Sequence, residues 1–338
     1  MYKKFLKIAL YPIFSFIKLS PFILAGHFLY SGIDAFLDKK IEISATQFAI
    51  ENKYITSRAI VAESRGEYKE SLASASNHPY FVFAKICKVY FTNDTFDTSI
   101  FSDKHKELIK EIIIFHELAH CESKEFLKTY SSFITSDTLT KDQLNYITNF
   151  LSKTRYENTL SKYYEENFAD MYGAALFLKK HNYSDEAFEA LDWFVEVRKI
   201  KSNRMSSKVA ELSTKSEDGK VKFIEGYWSH DTAEGLTQFI NEIRNTHRNY
   251  YDKMSPTVLK INLYSLALDE LILKINNNSS IIINLIYEME KNKLDVKDRK
   301  DILMSLITDD NKVYQKIISE YYDKKLDGKN KKLSSLKP

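Results

Sequence analysis

Glu111-Ile112-Ile113-Ile114-Phe115-His116-Glu117-Leu118-Ala119-His120-Cys121 is the stretch around which this chain is organised. Four consecutive apolar residues, Ile112-Ile113-Ile114-Phe115, lead into its His-Glu-x-x-His, and neither Gly nor Pro interrupts it. It reads as part of a helix over 104–123, capped by Ser102 or Asp103. On a helix, residues four apart share a face one turn apart. His116 and His120 therefore offer two imidazoles to one metal ion. Glu117 is turned about 100° from His116, beside that ion rather than on it. A carboxylate placed there takes a proton from a metal-activated water. The apolar lead-in buries the helix and leaves the histidine face to a cleft.

A catalytic zinc takes three protein ligands and keeps a fourth position open. No further histidine follows at short spacing, the next being His181. The candidate for the third ligand lies in Tyr163-Tyr164-Glu165-Glu166-Asn167-Phe168-Ala169-Asp170. Glu166 and Asp170 are four apart on a strongly helical stretch, so their carboxylates share a face. Glu166 can bind zinc, and Asp170 can accept the second ring N–H of a ligand histidine, which fixes its tautomer. Spacing alone equally suits two carboxylates on a solvated helix face. Glu165 competes with Glu166 for the ligand role, although no acidic residue lies four positions after it.

Together, His116-Glu117-x-x-His120 and Glu166-x-x-Ala169-Asp170 resemble the gluzincin metallopeptidases, most of all the HtpX and CAAX-prenyl-protease group. The run Met171–Ala187 is similar to that group's small-residue helix, turn and further helix. The resemblance covers about 80–232 and implies a zinc endopeptidase with a hydrophobic N-terminal segment. Where the family carries His-Pro downstream, this chain has Ser229-His230-Asp231. His230 is the first candidate for stabilising the oxyanion and Tyr227 the second. A surface histidine capping the next helix is the competing account of His230. His27, His78, His105, His181 and His247 read as structural. The two cysteines, Cys87 and Cys121, make no disulfide framework, and Cys121 reads as a packed thiol.

Composition sets the frame. The 338 residues hold only 8 Gly and 5 Pro, which argues for long helices over turn-rich β architecture. Net charge is +3, but residues 1–40 and 323–338 each carry +4, leaving −5 for the remainder. That balance argues against nucleic acid as a partner. Residues 5–37 are dense in apolar side chains behind Lys3, Lys4 and Lys7, as a spanning anchor requires. Lys18, Pro12 and Pro21 interrupt the pattern, and Lys4, Lys7 and Lys18 share a stripe that suits an interfacial helix instead.

The expected fold is α+β, mostly helical: a zincin-like domain with a small sheet, an N-terminal hydrophobic helix and a C-terminal helical extension. Its divisions are 1–40, 41–254 and 255–338. Residues 42–74 read as helix, 80–92 as a strand or hairpin, and 202–222 as a flexible loop. Residues 124–162 read as two helices broken near Ser136-Asp137. The expected cofactor is Zn2+. The expected partners are a membrane, through 5–37, and an extended peptide, held by edge pairing along 80–92. A secreted or injected protease toxin is one alternative. Another is a non-catalytic membrane or partner-binding protein retaining a zinc site, against which Glu117 argues.

Overall fold

The computed structural model describes residues 44–55, 58–63, 73–77, 86–91, 106–153, 159–214, 231–277, 295–308 and 311–334, with five positions between 281 and 289. In chain order, helix α1 (Ser44–Glu51) precedes strands β1 (Arg58–Glu63), β2 (Ala73–Asn77) and β3 (Ile86–Phe91). Helices α2 (Lys106–Tyr130), α3 (Lys141–Lys153), α4 (Thr159–Lys180) and α5 (Asp185–Thr214) follow. The rest is α6 (Ala233–Glu242), α7 (Arg248–Lys253), α8 (Pro256–Asn277), α9 (Val296–Leu306) and α10 (Lys312–Ser334).

The frame is the pair α2 and α4, which run antiparallel. Glu111, near the start of α2, meets Lys180 and His181 at the end of α4. His120, a few turns on, meets Glu166 on the opposite end of the contact. Between them the helices almost touch at Gly173. A Cβ there would lie 2.9 Å from the His116 nitrogen and 3.1 Å from its Cα, an approach that only glycine permits. Ile109, Ile112 and Phe115 of α2 are buried against the same core as Tyr172, Leu176 and Phe177 of α4. Each such side chain stabilises the fold by roughly 1.5–3 kcal/mol.

Helix α8 closes another side of α4. Tyr264 stacks on Phe168 with ring centroids 3.6 Å apart, and its carbonyl accepts a hydrogen bond from the Tyr164 hydroxyl at 3.2 Å. A buried ion pair, Lys260 to Glu122 at 2.9 Å, ties α8 to α2. Local signals set the helix ends. Thr140 and Gln143 form a capping box at the start of α3, Thr140 N donating to Gln143 Oε1 at 2.9 Å and Gln143 N to Thr140 Oγ1 at 3.4 Å. After α4 the chain turns through Asn182 and Tyr183, both at positive φ (50° and 55°). Ser184 then caps α5 by accepting from Ala187 N at 3.2 Å.

The α+β expectation is overturned, because the described chain is mostly helical and its core is assembled from helices. The three strands are five or six residues long, and Val89 of β3 is buried in the core. Beside helices of up to 30 residues, so short a sheet does not set the architecture. The physical reason was already in the composition: few Gly and Pro, and apolar residues recurring at helical spacing. The expected helix over 42–74 is also corrected: among the described residues there, Ser44–Glu51 is helical while Arg58–Glu63 and Ala73–Asn77 are extended. Edge pairing along 80–92 fails for β3. That strand is central, parallel to β1 on one side and antiparallel to β2 on the other, so its backbone is already paired. Helix α5 continues to Thr214, through part of the expected loop. Among the described residues, no helix is long and apolar enough to cross a membrane. The hydrophobic stretch 5–37 lies outside the described residues.

Candidate metal centre

Two helices bring three ligand atoms together. His116 and His120 leave α2 one turn apart, with rings nearly perpendicular at 88°. Their Nε2 atoms are 3.1 Å apart. Glu166, from the facing turn of α4, lies 3.6 Å from His116 Nε2 through Oε2 and 3.5 Å from His120 Nε2 through Oε1. His116, His120 and Glu166 form one group whose ligand atoms all lie within 4.8 Å of one another. A zinc ion bonded at 2.0–2.1 Å in tetrahedral geometry holds its ligand atoms about 3.3 Å apart. The spacing therefore fits a metal of that size, with two nitrogens and one carboxylate oxygen as donors.

Asp170 stands behind His116. Its Oδ1 is 2.8 Å from His116 Nδ1, and its side chain is fully buried. Accepting the Nδ1 proton leaves the Nε2 lone pair facing Glu166, which is the tautomer a metal needs. Glu165, the competitor for the ligand role, is buried outside this group; burial, helped by the Glu165 charge, pushes the Tyr164 hydroxyl up. Glu117 is buried beside the centre, at 8% exposure, and its charge reaches Arg198. His230 and Tyr227 lie outside the described residues.

Sequence reasoning missed Arg198 and Thr232. Arg198, on α5, is 5% exposed. Its Nε donates to Asp170 Oδ1 at 3.0 Å, and its Nη2 hydrogen-bonds the same oxygen. That Nη2 is 3.6 Å from Glu166 Oε2. Thr232, at the start of α6, donates its hydroxyl to Asp170 Oδ2. Burial works against the Arg198 charge, but Asp170, Glu166 and Glu117 overcome it and raise the guanidinium further. Burial likewise pushes the Asp170 carboxyl up, and the Arg198 and His116 charges with their hydrogen bonds outweigh it, holding the pKa at about 2. No signal local to Arg198 announces this. It sits in Phe194-Val195-Glu196-Val197-Arg198-Lys199, where one more charged residue reads as a solvated face.

Two further side-chain clusters are structural. Glu111 pairs with Lys180 and His181 and accepts from Ser44 Oγ at 3.1 Å, joining α1, α2 and the end of α4. Cys121, which follows His120, is disulfide-bonded, which corrects its reading as a packed thiol. No family model matches the chain, and neither a curated protein nor a solved structure does.

Proposed function

We propose that the protein is a zinc-dependent endopeptidase in which His116, His120 and Glu166 hold the ion and Glu117 is the general base. The observation that carries this reading is the convergence of the three ligand atoms within 4.8 Å. The Asp170 contact behind His116, at 2.8 Å, gives the ring the orientation that ligation requires. The resemblance of the two sequence motifs to the gluzincins points the same way.

A zinc ion in this centre supplies Lewis acidity toward a scissile carbonyl and lowers the pKa of water toward about 7. Glu117 receives the proton of the attacking water and returns it to the leaving amine. Asp170 keeps the His116 ring in place throughout, and Arg198 and Thr232 keep Asp170 in place. His230, or Tyr227, is the candidate donor to the oxyanion. The substrate class is an extended or unfolded polypeptide. The apolar composition of residues 5–37 supports membrane association.

Metal analysis of the purified chain, paired with cleavage of an unfolded protein by wild type and Glu117→Gln, tests the reading. One zinc per chain in both proteins and cleavage by wild type alone is the expected result. A chain that takes up no metal would remove the centre. A chain that holds zinc and cleaves nothing would favour a non-catalytic zinc protein.

A further inference from the structure

Arg198 has more contacts at the centre than its position in the sequence explains. Its Nη2 is 3.0 Å from His116 Nδ1 and 3.2 Å from His116 Nε2. An atom on the lone-pair axis of either nitrogen would be much farther from the other. Near-equal distances in the plane of the ring would drive it into the carbon between the two nitrogens. The guanidinium therefore lies over the ring face, which leaves the Nε2 lone pair clear on the side of Glu166. The same nitrogen is 3.6 Å from Glu166 Oε2 and hydrogen-bonded to Asp170 Oδ1.

We propose that Arg198 is a positioning residue for the metal ligands: it supplies no ligand atom, yet it fixes the His116 ring and the Glu166 carboxylate, and tight binding of a divalent ion depends on it. This rests on the metal-centre reading above. Three restraints act at once. Asp170 Oδ1 is shared between His116 Nδ1 and Arg198, while Oδ2 takes the Thr232 hydroxyl, so neither oxygen can swing away from the ring. The planar fork of the guanidinium then holds Asp170 and Glu166 from one rigid group, which a lysine ammonium cannot do. Charge agrees. Glu117, Glu166 and Asp170 carry three negative charges, and Arg198 with a dication restores neutrality. A buried cluster of that composition takes a divalent ion without stranding a charge.

The sign of one measurement separates positioning from mere proximity. A neighbouring cation repels a metal ion, so if Arg198 acted through charge alone its removal would tighten metal binding. Positioning predicts the reverse. The test uses the full chain, with zinc affinity read by competition against a chromophoric chelator and the coordination geometry read from the visible absorption of the cobalt(II) form. Arg198→Met is expected to bind zinc about 10–100-fold more weakly, the range seen when a partner behind a metal ligand is lost. Its cobalt spectrum should move away from that of wild type. Arg198→Lys, which keeps the charge and loses the fork, should recover only part of the affinity. The double variant Asp170→Asn with Arg198→Met should lose less than the product of the single losses, because the two act on one contact. Unchanged or tighter binding in Arg198→Met, or wild-type affinity in Arg198→Lys, would overturn the proposal. If Arg198→Met fails to fold, the Arg198→Lys result decides alone. A wild-type chain that binds neither zinc nor cobalt would fail at the metal centre itself and take this proposal with it, a result distinct from any difference among the variants.

Discussion

Gly173 of α4 lies against the backbone of His116, with space for no Cβ between them: a Cβ on residue 173 would come within 2.9 Å of the His116 nitrogen. The residue that lets the two helices approach therefore sits directly behind a metal ligand. Gly173→Ala should separate α2 from α4 by a few tenths of an ångström. Overpacking of this kind costs about 1–3 kcal/mol, set against about 1 kcal/mol gained in helix propensity. The larger effect is expected in zinc affinity, because the separation opens the His116–Glu166 distance. Thermal melts with and without zinc would show it as a smaller metal-induced rise in Tm than in wild type; an equal rise would mean the close approach has no bearing on the centre.

The two glutamates at 165 and 166 should differ sharply. Glu166→Ala removes one of three donors and should abolish stoichiometric zinc uptake, whereas Glu165→Ala should retain it. Asp170→Asn should bind zinc about 10–100-fold more weakly. Equilibrium dialysis against buffered zinc distinguishes the three variants, and loss of metal in Glu165→Ala instead would exchange the roles.

Glu117→Gln is nearly isosteric and should leave both fold and zinc content intact. Loss of a general base typically lowers the rate by about 10²–10⁴-fold, and turnover should fall at least that far. His230→Ala should lower turnover with little change in zinc. Full cleavage activity in Glu117→Gln would exclude it as the base.

Asp170 also sets a dependence of stability on pH. Its folded-state pKa of about 2 lies below the ordinary value of 3.8, the direction in which Arg198 and His116 overcome burial. A depressed carboxyl contributes stability that is fully present above the unfolded pKa and is lost as pH falls through the folded one. The loss should therefore run from about pH 4 down to about pH 2, and by the size of the shift it amounts to about 2 kcal/mol. Urea unfolding of the chelator-treated chain across that range, compared with Asp170→Asn, isolates it. Equal slopes in the two proteins would assign the acid loss elsewhere.

The part of the centre that was legible in the sequence is the part set by helical period. His116 with His120, and Glu166 with Asp170, are each four apart, and four residues on a helix define a face whatever the rest of the chain does. Which faces meet is tertiary, and the small run Gly173-Ala174-Ala175 hinted at it only as a family likeness. Arg198 and Thr232 reach Asp170 across 28 and 62 residues, with no spacing to announce them. The stretch Arg58–Glu63 was lost for a different reason. Six residues with Ile and Val at the centre fit a buried helix turn as well as a strand, and pairing with β3 decides between them. Helix α5 outran its expected end because Ser, Lys and Glu without Gly or Pro do not stop a helix.

Glu111 and Glu122 are eleven residues apart on α2, about 20° in helical phase, while His116 and His120 stand about 140° and 180° from Glu111. The first carboxylate is held by Lys180 and His181, the second by Lys260. These two ion-paired contacts hold α2 on either side of the histidine pair in sequence, so what they fix is the rotation of α2 about its own axis. One residue inserted or deleted within 112–115 would advance or retard the histidines by about 100° against the Glu111 contact, and no side-chain adjustment recovers that angle. A substitution in this stretch alters packing; a change in its length would put the ligand pair out of step with Glu166.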